Sequence, residues 1–300
     1  MVKAVVIPSD LGTEFDLGVA QAGKIRLKLG ANLSKNAATG AIDAATGTSS
    51  GGFTTPFFSA PAVTPYSGFK TLFEPIHGLS TSSTLGTTLT FVGTATARAI
   101  TNATVATSRR RLGIVSAATA GALSSAYHTT TWVGIGNAGA TLGGFLHVGR
   151  FTISDGATVA GARMFYGLRS TVAAPTNVEP SSLTNILGFG HGAADNSIHI
   201  YGRGAGALTE LILSNVDFPI TAGTPYLVAI YAPRIITTPG FVSYLYIKNE
   251  ATGLEQAMST SSVSSPLSTV MLSFAAWRTN NATALAVGLD LGSHLFDTYI

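Results

Sequence analysis

The 300-residue sequence contains no cysteine, and only 10% of its residues are charged. Without cysteine the chain can form neither a disulfide framework nor a thiolate metal site, so packing must hold its fold together. The charged fraction is far below the roughly 25% of typical soluble domains. An uncharged surface rich in Gly, Ala, Ser and Thr can be buried against other subunits, which favours a protein that works inside a larger assembly.

Long apolar runs and dense basic stripes are also missing. No 18-residue stretch is free of polar interruption, so we expect no membrane insertion. The first apolar run ends at Pro8, which is too early for an export signal. The 17 basic and 14 acidic residues leave a formal charge of +3, too sparse for a phosphate-tracking surface. We therefore expect no nucleic-acid partner.

The first unit, residues 1–43, contains a strand pattern with two unlike faces. In "KIRLKLG" the apolar residues Ile25, Leu27 and Leu29 alternate with Lys and Arg, and "AQAG" before them predicts a hairpin turn. The cationic face is either a solvated edge that prevents aggregation or a surface that docks onto an acidic partner.

Residues 44–86 are rich in Gly, Ser, Thr and Pro, which is typical of a linker or an extended arm. The segment also carries several aromatic residues, among them Phe57 and Phe58, which flexible linkers normally lack. We expect this arm to pack against neighbouring subunits, with Phe57 and Phe58 in the oligomer interface.

From about residue 87 onward, short β-type segments recur, separated by turn residues. They include "FLHVGRFTIS", "ARMFYGLRS", "PYLVAIYA" and "TVMLSFAAW", and "FVSYLYIKNEATGLEQAMST" predicts a hairpin with "NEATG" as its loop. Long helical periodicity is absent. The pattern predicts an all-β fold, an antiparallel β-sandwich of the jelly-roll type spanning residues 87–300.

The segment "TWVGIGNAGA" places Gly134, Gly136 and Gly139 at the spacing of a dinucleotide-binding loop, and Asp155 lies where such a site needs an acid. The third glycine of that motif must open a helix. Gly143, Gly144 and a strand-like segment follow here instead. The glycines therefore predict a turn between strands, and we expect no nicotinamide or flavin cofactor.

The succession of motifs after residue 87 resembles one known domain. The motifs are "GTATARAI", "SRRRLGIVSAATAGA", "NAGATLGGFLHVGRFTIS", "ARMFYGLRST", "NVEPSSLTNILGFGHGAADNSIHIYGRG" and "WRTNNATALAVGLDLGSHLFDTYI". In order and spacing they resemble the C-terminal domain of tailed-bacteriophage tail fibres and related receptor-binding fibres.

This resemblance implies a homotrimeric virion protein made in the host cytoplasm. Its N-terminal unit would dock to other virion proteins, and its concanavalin-like jelly roll would adsorb to a host surface glycan. A capsid-decorating head fibre with the same fold is one alternative. A fibre-borne polysaccharide depolymerase is another, although the acidic residues are dispersed singly and no solenoid repeat is present.

Sugar sites combine aromatic faces with amide and hydroxyl groups. "AAWRTNNAT" places Trp277, Arg278, Asn280 and Asn281 together, and this is the predicted receptor patch. The alternative is that Trp277 belongs to the core or to the trimer interface. Tyr201 and His191, with Arg203 beside them, form a second candidate patch.

"SRRRLG" is the one dense positive run. Alternation along a strand would place Arg109 and Arg111 on one face, which suits salt bridges in the oligomer interface, or else a solvated face. His191, Asp195 and His199 flank a predicted turn but lack the local spacing of a metal site. No G-x-S-x-G motif is present. We expect neither a metal nor a catalytic site.

Overall fold

A computed structural model describes backbone and side chains over most of the C-terminal part of the chain. Outside that part it describes only the backbone pairing of a few short strands. The fully described residues are 89–135, 143–233, 243–260, 264–266 and 269–298. Contacts divide the chain into two compact units, Met1–Ser59 and Ala60–Ile300. Phe57 and Phe58 lie outside the described residues.

Two short hairpins are described in the first unit. Strand β1 (Glu14–Asp16) pairs antiparallel with β2 (Arg26–Lys28), and β3 (Leu33–Lys35) pairs with β4 (Ile42–Ala44). The first pairing places Phe15 opposite Leu27 and confirms the predicted hairpin partner of the "KIRLKLG" strand.

The second unit consists of strands. They are β5 (Lys70–Phe73), β6 (Thr90–Val92), β7 (Thr94–Arg98), β8 (Arg111–Val115), β9 (Leu123–Tyr127), β10 (Val133–Gly134), β11 (Asn137–Ala138), β12 (Phe145–Ile153), β13 (Arg163–Arg169), β14 (Ile186–His191), β15 (His199–Arg203), β16 (Leu208–Ile212), β17 (Pro225–Ala232), β18 (Ile235–Ile236), β19 (Tyr244–Asn249), β20 (Glu255–Ser259), β21 (Met271–Thr279), β22 (Gly288–Leu291) and β23 (His294–Thr298).

Most of these strands form two large antiparallel sheets, named here by a central strand, and β11 and β18 pair in parallel as a separate two-stranded sheet. The β13 sheet has the order β16-β15-β14-β13-β21-β9-β6, with β10 added on β21. The β12 sheet has the order β20-β19-β17-β12-β22-β8-β7, and β23 pairs with both β12 and β5. The fold is an antiparallel β-sandwich of the jelly-roll type, as the sequence predicts. Within the described residues, no helix is long and apolar enough to cross a membrane.

The core lies between the sheets because apolar residues alternate along the central strands. Phe151 of β12 and Tyr166 of β13 stack with ring centroids 5.0 Å apart, and Tyr166 meets Phe274 of β21 edge-on at 5.2 Å. Burial of each such side chain contributes roughly 1.5–3 kcal/mol. Gly149 leaves room for Tyr166, since a Cβ at that position would overlap the phenol oxygen.

The outer faces of the two sheets differ. On the β13 sheet, Phe165 and Trp277 form a second apolar cluster, which is covered by Val178 and Leu183 from the connection between β13 and β14. A 3-10 turn, Pro180–Ser182, lies in that connection. The outer face of the β12 sheet instead carries charged side chains, which form the site described below.

The predicted turn at the glycine motif is described only at its two ends, and between them it stays a prediction. Gly134 ends β10, and its carbonyl accepts a hydrogen bond from the Gly144 amide at 2.9 Å. Gly143 and Gly144 have φ angles of 81° and 88°, and strand β12 follows them at once. Gly136 and Gly139 lie outside the described residues. A strand therefore stands where a dinucleotide site needs a helix.

Candidate ligand-binding site

The predicted receptor patch is mostly inside the protein. Trp277 is 1% exposed and stacks on Phe165 at 6.2 Å, and Asn280 is fully buried. The Asn280 amide donates to the carbonyls of Thr119 and Leu285, both at 2.8 Å. Both side chains are therefore buried in the fold, as the core alternative for Trp277 expects, and a receptor contact at either stays a prediction.

Arg278 lies in a buried network that joins the two sheets. Its Nε donates to Oδ1 of Asp155 at 2.8 Å, and its Nη1 donates to Nε2 of His191 at 2.7 Å. The Gly288 amide, in the β12 sheet, donates to the same Asp155 oxygen at 2.7 Å. We call Asp155, Arg278 and His191 the inter-sheet bridge. The side chains of Arg278 and Asp155 are both 3% exposed, so Arg278 is also no surface contact.

His191 belongs to the bridge as a neutral imidazole. Burial, and then the charge of Arg278, lower the pKa of His191 from 6.5 to about 3. Its Nδ1 lies 3.0 Å from the Gly192 carbonyl and donates to it, which leaves Nε2 as the acceptor for Arg278. His191 thus completes the hydrogen bonding of a buried cation.

Asn281 is the member of the predicted patch that reaches the surface. It follows β21 on a turn with φ of 51° and is half-buried. The backbone N–H of Asn281 donates to Oγ1 of Thr279 at 3.2 Å. A glycan contact at Asn281 stays a prediction.

The second predicted patch is also buried. Tyr201 is 1% exposed and sits in the covered cluster of the β13 sheet, where burial and the neighbouring Glu210 raise its pKa. His199 pairs with Gly190 in register, so it lies on the face opposite to His191. Nδ1 of His199 contacts Glu210 at 2.7 Å. Tyr201 and His191 therefore do not form one surface.

A charged concave surface lies on the outer face of the β12 sheet. We call it the arginine cleft, and its empty volume is about 380 Å³. It is lined by Val105, Ala106, Arg109, Arg110, Arg111, Arg150, Phe151, Thr152, Pro225, Glu250, Asp290, Gly292 and Ser293. The neighbouring strands β8, β22 and β12 form its floor, because Leu112, Leu291 and Phe151 point to the core and the residues between them point outward.

Asp290 is the carboxylate at the floor of the cleft. It is 2% exposed and accepts from Nη1 of Arg111 at 2.6 Å and from Nε of Arg98 at 3.2 Å. Arg98 reaches it across Gly113, which pairs with Asp290 in register. A Cβ on Gly113 would overlap the Arg98 guanidinium. Glycine at this position therefore lets the guanidinium lie flat on the sheet.

Glu250 is the second carboxylate and lies at the rim, in the turn between β19 and β20. It accepts from Nη1 of Arg109 at 2.6 Å and from Nε of Arg150 at 3.2 Å. Arg110 is exposed and makes no hydrogen bond or ion pair with any other fully described residue. The cleft therefore contains more guanidinium groups than its carboxylates neutralise.

The arginine run departs from the predicted strand alternation. Strand β8 begins only at Arg111, so Arg109 and Arg110 belong to the preceding loop, and all three line the cleft. The ion pairs of Arg109 and Arg111 lie within the chain. Their role in an oligomer interface stays a prediction, as does that of Phe57 and Phe58.

Acidic and histidine side chains are the ligands that a metal site in this cysteine-free chain would need. Across the described ranges, no group of three such side chains is arranged to hold a metal ion. The flanking pair His191 and His199 is separated by the sheet, as its register requires.

Comparison with known proteins finds fold-level likeness. No protein-family model and no curated protein sequence matches the chain. Among solved structures, peanut lectin is similar over 77% of this chain and 97% of its own, at 10% identity and a TM-score of 0.49. Arcelin-5, a lectin-like defense protein from Phaseolus vulgaris, is similar over 77% of this chain and 99% of its own, at 12% identity and a TM-score of 0.47. Lectin I-B4 from Griffonia simplicifolia is similar over 77% of this chain and 100% of its own, at 11% identity and a TM-score of 0.46. Identities this low carry no information about a ligand.

Proposed function

We propose that this chain is a structural protein of a bacteriophage virion, a tail fibre whose β-sandwich adsorbs to a glycan on the host bacterium. The succession of fibre-like motifs over residues 87–300 supports the virion assignment. The low charge content supports it as well, because uncharged surface suits a chain buried in an assembly.

The arginine cleft is the observation that carries the proposed glycan binding. It is concave and polar, and it lies on a sheet face that the described connections leave open. Guanidinium groups and hydroxyls such as that of Ser293 can hydrogen-bond sugar oxygens. A shallow site suffices when many copies act together, since linked sites gain roughly 10²–10⁴ in avidity.

Adsorption in this proposal proceeds without catalysis. Glycoside hydrolysis needs one carboxyl that protonates the leaving group and a second carboxylate nearby. In the cleft, Asp290 and Glu250 are each engaged by guanidinium groups. Neither is free to protonate a leaving group.

The assembly state has a direct test. Light scattering of the purified full chain at micromolar concentration is expected to give three times the chain mass of 30.7 kDa, because the aromatic-bearing arm needs partners to bury its side chains. A stable particle of 30.7 kDa would contradict the trimer.

Two further experiments test the role. Antibody against the chain, imaged on particles whose genome encodes it, is expected to label the tail. Labelling of the capsid surface would instead support the head-fibre alternative, and unlabelled particles would overturn the virion role. The full chain on an array of bacterial surface polysaccharides is expected to bind a subset of them. Failure to bind any polysaccharide would overturn adsorption through a glycan.

A further inference from the structure

We propose that the arginine cleft binds the negatively charged group of an acidic glycan, a sugar carboxylate or a sugar phosphate. This inference deepens the proposed function and rests on it. It can also fail separately, because a neutral glycan would satisfy the proposed function but not this inference.

Charge imbalance is the first argument. Five arginines, Arg98, Arg109, Arg110, Arg111 and Arg150, face two carboxylates, Asp290 and Glu250. The local excess equals the formal charge of +3 carried by the whole chain. Like charges gathered on one sheet face repel one another, and an anion placed among them relieves that repulsion.

Unused hydrogen-bond donors are the second argument. Nε of Arg111 is buried without a hydrogen-bond partner in the described structure, although Nη1 of the same group holds Asp290. The exposed Arg110 has no partner for its side-chain donors among the residues that the structure describes. Guanidinium groups present donors in a planar fork that matches the two oxygens of a carboxylate or phosphate.

The loop that carries these donors is held in place by its own hydrogen bonds. The Thr104 amide donates to Oγ1 of Thr107 at 2.8 Å, and the Thr107 amide donates to the Thr104 carbonyl at 3.0 Å. The hydroxyl of Ser108 donates to the Val105 carbonyl at 2.9 Å. A loop ordered before binding loses less entropy when the ligand arrives.

The lining favours a sugar over a nucleic acid. Proteins that bind single-stranded nucleic acid stack its bases on aromatic side chains. The aromatic residue that lines the cleft, Phe151, is 1% exposed and belongs to the core. Ser293, which is half-buried, supplies a hydroxyl instead, which suits the hydroxyl-rich ring of a sugar.

The test is a calorimetric titration of the full chain at 0.15 M salt with four probes. These are trigalacturonate, a neutral galactose trisaccharide, galactose 6-phosphate and inorganic phosphate. We expect trigalacturonate or the sugar phosphate to bind at least about tenfold more tightly than both the neutral sugar and inorganic phosphate, because the charged group and the ring both contribute.

Variants locate the binding. Arg110→Gln is expected to weaken the acidic sugar at least about tenfold without changing the thermal midpoint, since Arg110 has no partner in the described fold. Lys248→Gln is the matched control. It removes one positive charge from the same sheet face, outside the cleft lining, where Lys248 pairs with Glu255. It should leave the affinity nearly unchanged because the Lys248 charge is already paired with Glu255 and does not line the cleft.

The other outcomes overturn the inference. Equal loss in Arg110→Gln and Lys248→Gln would mean that the acidic sugar responds only to general charge. Preference for the neutral trisaccharide would leave glycan adsorption standing and remove the acidic specificity. Inorganic phosphate binding as tightly as the sugars would mark a simple ion site. A short single-stranded oligonucleotide, titrated in addition to the four probes, would identify a nucleic-acid surface if it bound more tightly than the sugars.

Discussion

The inter-sheet bridge and the arginine cleft are both built on arginine and carboxylate groups, and they differ in balance. In the bridge, Arg278 faces Asp155 and a neutral His191, and both charged side chains are 3% exposed. In the cleft, the guanidinium groups outnumber the carboxylates, and Arg109 is 45% exposed on its side chain. A balanced, sealed pair holds two sheets together, whereas an unbalanced, open cluster is left with unsatisfied charge. That remaining charge is why the cleft, and not the bridge, is the candidate ligand site.

The largest expected effect comes from breaking the bridge. Asp155→Ala leaves the Arg278 cation buried without its anion, which is expected to cost about 3–5 kcal/mol of unfolding free energy. Calorimetry should record a fall in the thermal midpoint of about 10 °C. Glu255→Gln, which removes the partner of Lys248 at the surface, should cost less than about 1 kcal/mol. Equal midpoints for the two variants would place the bridge among ordinary surface pairs.

Low pH is expected to reduce the stability of the fold through histidines that are buried in the interior. Burial lowers the pKa of His147 and of His191 to about 3, and it lowers that of His294 as well. Between that value and the ordinary 6.5 the unfolded chain binds more protons than the folded one, so stability falls as the pH drops through this window. At pH 5, His147 and His191 together are expected to cost about 4 kcal/mol.

Urea unfolding at pH 7.5 and pH 5 measures this loss. His147→Phe keeps an aromatic ring against Phe296, which stacks on it at 4.4 Å, and removes the titrating group. The variant should lose about 2 kcal/mol less than the wild type between the two pH values. A pH dependence of stability that His147→Phe leaves unaltered would contradict this assignment.

A smaller effect is expected at Gly113. Gly113→Ala forces the Arg98 guanidinium off the sheet and away from Asp290, which exposes that carboxylate to the incoming anion. Affinity for the acidic sugar should fall severalfold, while stability changes by about 1 kcal/mol because the displaced group is the flexible end of a side chain. Gly156→Ala is the control, since a Cβ there meets nothing within 4 Å. Unchanged sugar affinity in Gly113→Ala would remove Arg98 from the account of the cleft.

The smallest expected effect is at Asn281. Asn281→Ala on its surface turn should remove contacts worth less than about 1 kcal/mol of stability. The positive φ of residue 281, which alanine adopts less readily than asparagine, adds a separate strain energy. It should leave binding of the acidic sugar intact, because Asn281 does not line the cleft. Loss of glycan binding in this variant would indicate that the glycan binds at the end of β21 and not in the cleft.

The strands were predictable because alternation and turn residues are local signals. The hairpin of β19 and β20 around "NEATG" is confirmed. The sequence pattern does not predict strand β9, because Ser124 and Ser125 are polar residues at positions that are fully buried. The Ser124 hydroxyl is satisfied by the neighbouring strand, since it donates to the Arg278 carbonyl at 3.4 Å, whereas the Ser125 hydroxyl is buried without a hydrogen-bond partner in the described structure.

The site was less predictable because its contacts are distant in sequence. "SRRRLG" identified the arginines, but Asp290 lies 179 residues beyond Arg111, and Glu250 lies 141 residues beyond Arg109. Trp277 and Asn281 are near neighbours in sequence, yet the end of β21 places one in a covered cluster and the other on a turn. Burial of a given face depends on the connection that crosses it, and no local pattern encodes that crossing.

A crystal structure of the full chain with trigalacturonate tests the central claim most directly. The account predicts a carboxylate of the sugar in the cleft, with oxygens within roughly 2.7–3.2 Å of the guanidinium groups of Arg110 and Arg111. It also predicts an unchanged inter-sheet bridge. A sugar bound elsewhere on the β-sandwich, with the cleft empty, would contradict it.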